Sequence, residues 1–241
     1  MSHEKPDLYT VLQPAFGFVL DRKYHRVVTG TENIPDEPAL YAPNHIRFED
    51  SPLIATSYTE VTGKPLRFGA KREYFDGEGI DENGRFSRSM KFLMQYTRMI
   101  SVDREGTNMR SFQELQKQVT NRIENGDAVA LHPEGTRSED GQLYKFKSGI
   151  ARIALALSVP IVPVGIVYDP HAAGRKTRVD IEFGEPVMPT EYTEPPYSEL
   201  AMKYRSELLA QVVEDRVAKI TGMPQTGMFA QLRKLRSDRS E

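Results

Sequence analysis

The 241-residue chain has room for one full hydrophobic core, and its length does not require a second domain. Its 32 basic and 34 acidic side chains give a formal net charge of −2, so the overall charge gives no reason to expect a nucleic-acid partner. With no cysteine, the sequence excludes disulfides, thiolate nucleophiles and cysteine-ligated metal sites.

The N-terminal segment, residues 1–23, is predicted to be helical and to stand apart from the main domain. Apolar side chains recur at helical spacing between residues 8 and 20, and Pro14 is expected to kink this helix or to begin a second piece. The longest apolar run nearby, residues 15–20, is far shorter than the roughly 20 residues that cross a bilayer. The segment also lacks the basic stretch and the long apolar core of a signal peptide, so no signal peptide is predicted. We therefore expect a soluble or peripheral protein whose first helix either dips into a membrane interface or packs against the domain.

Beyond this segment, short apolar runs alternate with amphipathic stretches, which is typical of α/β proteins. Strands are predicted at residues 25–30, 39–43, 66–71, 99–102, 128–131, 159–167 and 179–183. Helices are predicted at residues 90–96, 109–125, 150–157 and 197–220, and one more begins at Asp50, a candidate N-cap followed by Pro52 in the first turn. Residues 76–85 are rich in Gly, Asp, Glu and Asn and predict an exposed loop.

These elements predict a single α/β domain over residues 24–222, with a layered, largely parallel central sheet flanked by helices. Residues 223–241 form a basic C-terminal tail, whose cations would either bind anionic lipid head groups or remain solvated.

The first candidate functional motif, Asn44-His45-Ile46-Arg47-Phe48-Glu49-Asp50, directly follows the predicted strand 39–43. An imidazole accepts a proton from a hydroxyl near neutral pH, so His45 is a candidate general base. Asp50 cannot share a helix face with His45, but a turn would bring its carboxylate to the ring nitrogen that is not used in proton transfer. For these two residues alone, a loop histidine followed by a helix-capping aspartate is the favoured interpretation.

The second candidate motif, Pro133-Glu134-Gly135-Thr136-Arg137-Ser138, also follows a short apolar strand. Gly135 permits a tight turn with close approach of backbone N–H groups to an anion, and Arg137 supplies a forked cation suited to phosphate. A structural turn with a surface Arg–Glu pair competes with this interpretation for the hexapeptide alone. Two such motifs after two strands of one chain are much harder to assign to chance.

Together with two further segments, these motifs resemble the glycerolipid acyltransferase family typified by lysophosphatidic acid acyltransferase. The family has an N-H-x-x-x-x-D block, a block ending in arginine, a P-E-G-T-R-S block and a final V-P-I-V-P-V segment. The matching segments here are residues 44–50, 100–104, 133–138 and 159–166, in the same order. The resemblance covers roughly residues 24–190, and four ordered blocks make it specific.

The resemblance implies transfer of a fatty acyl group from acyl-CoA or acyl carrier protein to the free hydroxyl of lysophosphatidic acid. His45 would deprotonate that hydroxyl, Asp50 would orient and polarise the imidazole, and the hydroxyl would attack the thioester without an acyl-enzyme. The residues implied in holding the acceptor phosphate are Arg104, Glu134, Gly135, Thr136, Arg137 and Lys71. Glu134 would organise the loop, and Lys71 at a strand end is equally open to a structural role.

Two absences bear on the chemistry. The chain has neither the Gly-x-Ser-x-Gly segment of serine hydrolases nor a His-Glu-x-x-His metal motif, so we expect no catalytic metal and no cofactor beyond the acyl thioester. The expected location is cytoplasmic and peripheral, on the inner face of the cell membrane, where a lysophospholipid acceptor lies.

The sequence departs from the family pattern at three places. His132 stands where a large apolar residue is usual, Glu49 where an apolar residue is expected, and Thr97-Arg98 where glycine is common. We expect His132 to be a packing substitution or, less readily, a substrate contact, and Glu49 to alter the wall of the acyl pocket. These departures leave other acceptors open, namely another lysophospholipid, a glycolipid or a small metabolite. A non-catalytic lipid or acyl-carrier binding protein is a further alternative.

Overall fold

The computed structural model of the protein describes residues 7–76, 87–103, 109–169, 171, 175–192, 198–230 and 232. The strands are β1 (Tyr24–Thr29), β2 (Leu40–Pro43), β3 (Leu66–Lys71), β4 (Ile100–Val102), β5 (Ala128–Ala130), β6 (Ile161–Asp169) and β7 (Thr177–Phe183). They form one sheet in the order β1-β7-β6-β2-β5-β3-β4. Of the strand pairs, β6–β7 is antiparallel and the others are parallel, which confirms the predicted α/β fold with a largely parallel sheet.

Helices cover both faces of this sheet. They are α1 (Tyr9–Lys23), α2 (Asp50–Thr62), α3 (Arg72–Asp76), α4 (Ser87–Tyr96), α5 (Met109–Glu124), α6 (Gly149–Leu157) and α7 (Glu199–Thr221). The sequence did not predict α3, because five residues are too few to display a helical period. Of the predicted loop at residues 76–85, only Asp76 is described, and it ends α3 rather than beginning a loop.

The first helix differs from its prediction. α1 runs from Tyr9 to Lys23 as one element with Pro14 inside it, so of the two predicted alternatives, a kink or a second piece, the second piece was wrong. The missing N–H of Pro14 leaves the carbonyl four residues earlier without its helical donor, and contacts with the domain hold the helix together despite this loss. Tyr9 donates its hydroxyl hydrogen bond to the Ala55 carbonyl of α2 at 3.4 Å, and Asp7 forms an ion pair with the buried Arg67 of β3.

The opposite side of α1 is apolar and exposed. Val11 and Phe18 are each more than 60% exposed, at 70% and 63%. One side of the helix therefore packs against the domain, as one alternative predicted, while the other side is available for a membrane interface. Among the described residues, no helix combines the length and the apolar character needed to cross a membrane.

The core has two layers, one on each face of the sheet. In β2, Tyr41 belongs to the layer under α1 and α2, whereas Leu40 and Ala42 belong to the layer under α5, α6 and α7. All four residues of β2 are buried, because helices cover the sheet on both sides.

The topology places the two candidate motifs side by side. β2 lies between β5 and β6, and Tyr41 of β2 is in register with Ala130 of β5. Because β2 and β5 are parallel, the segments that follow them leave the same edge of the sheet. The N-H-x-x-x-x-D segment and the P-E-G-T-R-S segment therefore start as neighbours.

Candidate active site

The turn after β2 brings the Asp50 carboxylate to the His45 ring. His45 Nδ1 lies 2.9 Å from Asp50 Oδ2, and the same oxygen accepts hydrogen bonds from the backbone N–H groups of Ile46 at 2.6 Å and Arg47 at 2.8 Å. Asp50 begins α2, but its side chain binds residues that precede the helix. The prediction that Asp50 is the N-cap was therefore wrong, since Glu49 occupies the N-cap position without a side-chain capping bond.

A tyrosine from β6 completes the surroundings of Asp50. Tyr168 donates its hydroxyl hydrogen bond to Asp50 Oδ1 at 2.5 Å, and the guanidinium of Arg47 lies 4.2 Å from the centre of the Tyr168 ring. Asp50 is completely buried, and this burial raises the pKa of its carboxyl, against the lowering effect of its hydrogen bonds. Sequence reasoning missed Tyr168, because the predicted strand ended one residue before it.

Glu134 ties the two motifs together. Its Oε1 accepts the backbone N–H of His45 at 2.7 Å, and its Oε2 accepts the backbone N–H of Tyr144 at 3.0 Å. The backbone N–H of Ser138 in turn donates to the His45 carbonyl at 2.7 Å. Glu134 is only 1% exposed, so its carboxyl holds the two segments together from within the fold. Burial raises its pKa to about 8.

The ring of His132 packs against the ring of the candidate base, His45. Its ring stacks on that of His45 with 3.9 Å between the ring centres and 12° between the planes. Burial and the neighbouring His45 imidazole lower the pKa of His132 to about 3. The imidazole of His132 is therefore neutral at physiological pH.

His45 lines a cavity of about 450 Å³ between α1, α2, α4 and the end of β3. Most of its wall is apolar, with side chains that include Leu12, Phe16, Leu20, Phe48, Phe68 and Leu93. Lys71, Thr136 and Arg137 line the same cavity, Lys71 being half-buried and Arg137 exposed. The cavity thus joins a candidate base, two cations and an apolar volume, which is the usual composition of a site for an amphipathic ligand.

Of the other predicted anion-binding residues, Gly135 lines a different cavity. Arg104 is outside the described residues. Gly135 has a φ of +76° and lines a neighbouring cavity of about 420 Å³, where Lys147 packs so closely that a Cβ on Gly135 would lie 2.8 Å from Lys147 Nζ. Nothing in the sequence distinguished Lys147 from other lysines, so sequence reasoning missed this contact.

Two other departures from the family pattern have structural explanations. Glu49 lines the cavity, as expected, and accepts hydrogen bonds from Lys23 Nζ at 2.6 Å and the Tyr24 hydroxyl at 3.0 Å. Arg98 has a left-handed backbone with φ of +51° at the end of α4, a conformation that glycine adopts without strain. The family glycine is expected at this turn for the same reason.

The hydrogen bonds define what the site can do. Because Asp50 Oδ2 is an acceptor, His45 Nδ1 carries the proton of the neutral ring, and Nε2 keeps the lone pair. A buried carboxylate on Nδ1 stabilises the imidazolium that forms when Nε2 takes a proton. Within the described ranges, no cluster of three or more His, Cys, Asp or Glu side chains is arranged to hold a metal ion. The arrangement is suited to abstracting a proton from a hydroxyl placed beside an apolar cavity.

Comparison with known proteins agrees with the sequence motifs. The model of the Acyltransferase family matches residues 25–167. The chain is 30% identical over 142 residues to a probable 1-acyl-sn-glycerol-3-phosphate acyltransferase of Mycoplasma pneumoniae, covering 58% of this chain and 48% of that protein. It is 32% identical over 143 residues to the chloroplastic 1-acyl-sn-glycerol-3-phosphate acyltransferase LPAT1 of Arabidopsis thaliana, covering 58% of this chain and 35% of the relative.

A solved structure is also similar. The crystal structure of the 1-acyl-sn-glycerophosphate (LPA) acyltransferase PlsC from Thermotoga maritima superposes with a TM-score of 0.53 at 28% identity, covering 86% of this chain and 77% of that one. The chain spans about half the length, or less, of the curated relatives described above. Since the family model matches more than half of the chain, at the segments that build the site, the chain belongs to the Acyltransferase family.

Proposed function

We propose that the protein transfers a fatty acyl group from the thioester of acyl-CoA or acyl carrier protein to the free hydroxyl of lysophosphatidic acid, giving phosphatidic acid. The observation that carries this proposal is the 2.9 Å contact between His45 Nδ1 and the buried Asp50 carboxylate, at the wall of a largely apolar cavity. Membership of the Acyltransferase family supports the same acceptor. So do the names of the relatives, which call them 1-acyl-sn-glycerol-3-phosphate acyltransferases.

The proposed reaction needs one base. His45 Nε2 takes the proton of the acceptor hydroxyl as the hydroxyl oxygen attacks the thioester carbonyl carbon. The tetrahedral intermediate then collapses, the carbon–sulfur bond breaks, and the imidazolium returns its proton to the departing thiolate. An ester and a free thiol result, without an acyl-enzyme. Asp50 stabilises the transient imidazolium, and general base catalysis of this kind contributes about a hundredfold to ten-thousandfold in rate.

The cations of the cavity are suited to an acceptor phosphate. Arg137 presents a planar fork of donors, and Lys71 a point charge, on the wall that also includes His45. The apolar part of the cavity would hold an acyl chain. A phosphate-free acceptor such as monoacylglycerol offers neither cation an anionic group, so it should react much more slowly.

One observation favours a second acceptor. The same cavity is lined by two carboxylates, Glu49 and Glu139, beside the two cations. A lysophospholipid whose head group carries both a phosphate and an ammonium would match this mixed charge. Competition between lysophosphatidic acid and lysophosphatidylethanolamine distinguishes the two acceptors, because the preferred one has the higher kcat/KM.

We also propose peripheral contact with a membrane, because lipid acceptors lie in a bilayer. The exposed side of α1, with Val11 and Phe18, supports this contact, and Arg22 in its last turn adds a cation. Most of the basic tail, residues 231 and 233–241, lies outside the described residues. Vesicle sedimentation with Phe18→Glu tests the contact, and an unchanged bound fraction would contradict it.

The first experiment measures thiol release from palmitoyl-CoA or palmitoyl-acyl carrier protein, with and without lysophosphatidic acid. Release should need the acceptor and should fall at least about a hundredfold in His45→Ala. The exposed His25 on β1 provides a matched control, since His25→Ala should keep full activity. Near-full activity of His45→Ala would rule out the mechanism.

The same experiment separates an enzyme from a non-catalytic binder. A lipid or acyl-carrier binding protein would release no thiol with either donor while still binding the lysolipid, and His45→Ala would not change that affinity. Titration of the wild type and of His45→Ala with lysophosphatidic acid measures this affinity.

A further inference from the structure

The ring of His132 is held at both nitrogens by the segments that flank His45. Nδ1 lies 3.0 Å from the Asn44 carbonyl and 3.3 Å from the Pro43 carbonyl. Because carbonyl oxygens only accept, Nδ1 carries the proton of the neutral ring. Nε2 then accepts the hydroxyl of Ser51 at 2.9 Å. An apolar side chain would fill this position without these bonds, so simple packing does not explain the residue.

The neighbours of His132 keep it neutral. The ionisable groups in contact with it are the stacked His45 ring and, beyond that ring, the Asp50 carboxylate, while Phe68 covers it at 5.5 Å between ring centres. Burial and the proximity of His45 both disfavour a charge on His132. A second imidazolium beside the first would repel it, and a neutral aromatic face instead attracts a cation.

The stack adds a second kind of contact to the His45 ring. The Asp50 bond at Nδ1 holds one edge of the ring in its plane, whereas a stacked ring contacts its face. The parallel ring of His132, 3.9 Å away, supplies a flat surface that fixes the plane of the imidazole. In a proton transfer, misplacement by about 1 Å costs up to about a hundredfold in rate.

We propose that His132 is a positioning residue that holds the plane of the His45 imidazole, and that Ser51 fixes the orientation of His132. The role of His132 in the reaction rests on the proposed function of His45 as general base. The arrangement of the two rings, however, can be measured without any activity. The proposed role of His132 goes beyond the expected packing substitution, because the face of its ring contacts His45 and its nitrogens hold the ring in place.

Nuclear magnetic resonance of ¹⁵N-histidine-labelled protein tests the ring arrangement directly. Both His45 and His132 should show a proton on Nδ1 and a lone pair on Nε2, and His132 should stay neutral between about pH 5 and 8. In His132→Ala, the His45 signals should broaden or show a mixture of tautomers, and in His132→Phe, which keeps a ring against His45, they should stay sharp and keep the wild-type tautomer. Unchanged His45 signals in His132→Ala would overturn the proposal, as would a wild-type His132 that titrates near its ordinary pKa.

Kinetics tests the consequence. We expect His132→Ala to lower kcat about tenfold to a hundredfold with a smaller change in KM, and His132→Phe, which keeps a stacking ring, to recover most of that loss. The exposed His171 gives the control, since His171→Ala should match the wild type. A phenylalanine variant as slow as the alanine variant would overturn the stacking role.

Two safeguards keep the test decisive. If His132→Ala does not fold, Ser51→Ala replaces it: loss of the donor at 2.9 Å should shift the Nε2 resonance of His132 and broaden the ring signals of His45, and unchanged ring signals would count against the proposal. If the wild type transfers no acyl group, the proposed function fails, and the His45 ring signals still decide whether His132 holds that ring.

Discussion

The candidate site has two regions of opposite character. One, which we name the braced side, consists of His45, Asp50, Tyr168 and Glu134, joined by hydrogen bonds of 2.5–2.9 Å. The other, the cationic side, consists of the half-buried Lys71 and the exposed Arg137. Asp50 and Glu134 are 0% and 1% exposed.

The difference follows from what each region is proposed to do. Proton transfer is sensitive to angles and to changes of a few tenths of an ångström in distance. The groups that perform it are therefore buried and held by several hydrogen bonds. Attraction of a phosphate depends on charge at longer range, and flexible, solvated cations suffice for it. Substitutions on the braced side should therefore change kcat or stability, and substitutions on the cationic side should change KM.

The largest effect is expected from removing the charge of Asp50 alone. In Asp50→Asn, the amide oxygen can keep the three donors at the Oδ2 position, while the amide NH₂ faces the Tyr168 hydroxyl, which then accepts. The fold should survive, but the imidazolium loses its counter-charge, so kcat should fall about a hundredfold or more. Steady-state kinetics and a thermal melt measure both quantities. The control is Asp36→Asn at an exposed position, and a loss below about tenfold would contradict the role of Asp50.

The second effect is a pH dependence of stability caused by Glu134. Its pKa of about 8 in the fold exceeds the ordinary 4.5, so the folded state holds a proton that the unfolded state has lost between these values. The free energy of unfolding should therefore fall as the pH rises. His132, with a pKa lowered to about 3, has the opposite effect only below its ordinary 6.5. Between pH 6.5 and 8 His132 contributes no change, and the loss caused by Glu134 there should be about 1–2 kcal/mol.

Denaturant unfolding at several pH values measures this loss. Glu134→Gln retains an acceptor but cannot titrate, so the decline between pH 6.5 and 8 should disappear in this variant. The control Glu139→Gln changes an exposed carboxyl of the same loop and should keep the decline. A decline of equal size in Glu134→Gln would show that another group causes it.

A smaller effect is expected from Tyr168→Phe. This change removes the 2.5 Å bond to Asp50 Oδ1 and keeps the ring under the Arg47 guanidinium. A hydrogen bond to a charged group contributes about 1.5–3 kcal/mol, so a loss of about tenfold in kcat is expected, with KM nearly unchanged. The exposed Tyr204 gives the matched control, Tyr204→Phe. If kcat stays at the wild-type value, the Tyr168 bond does not support Asp50.

The sequence predicted much of this molecule, and its failures have physical causes. Alternating apolar runs predicted the strands and the parallel sheet, because the pattern of burial is local. The family resemblance predicted that Asp50 would orient His45, although the two residues alone favoured a capping aspartate. The contribution of Tyr168 depends on β6 ending beside Asp50, 118 residues away in the chain. A local sequence pattern cannot predict a contact between residues so far apart in the chain. The same holds for the stack of His132 on His45.

The smallest effect is expected on the cationic side, from Arg137→Gln. The side chain is exposed and lines the cavity, so its loss should raise the KM for lysophosphatidic acid severalfold, about 1 kcal/mol or less, and leave kcat almost unchanged. Because an exposed charge is screened by ions, the difference between variant and wild type should shrink as salt rises toward about 1 M. The exposed Arg178 on β7 provides the control, since Arg178→Gln removes an equal charge away from the cavity and should not alter KM. If Arg137→Gln lowered kcat instead, Arg137 would belong with the braced side, and the division of the site into a fixed half and a charged half would be wrong.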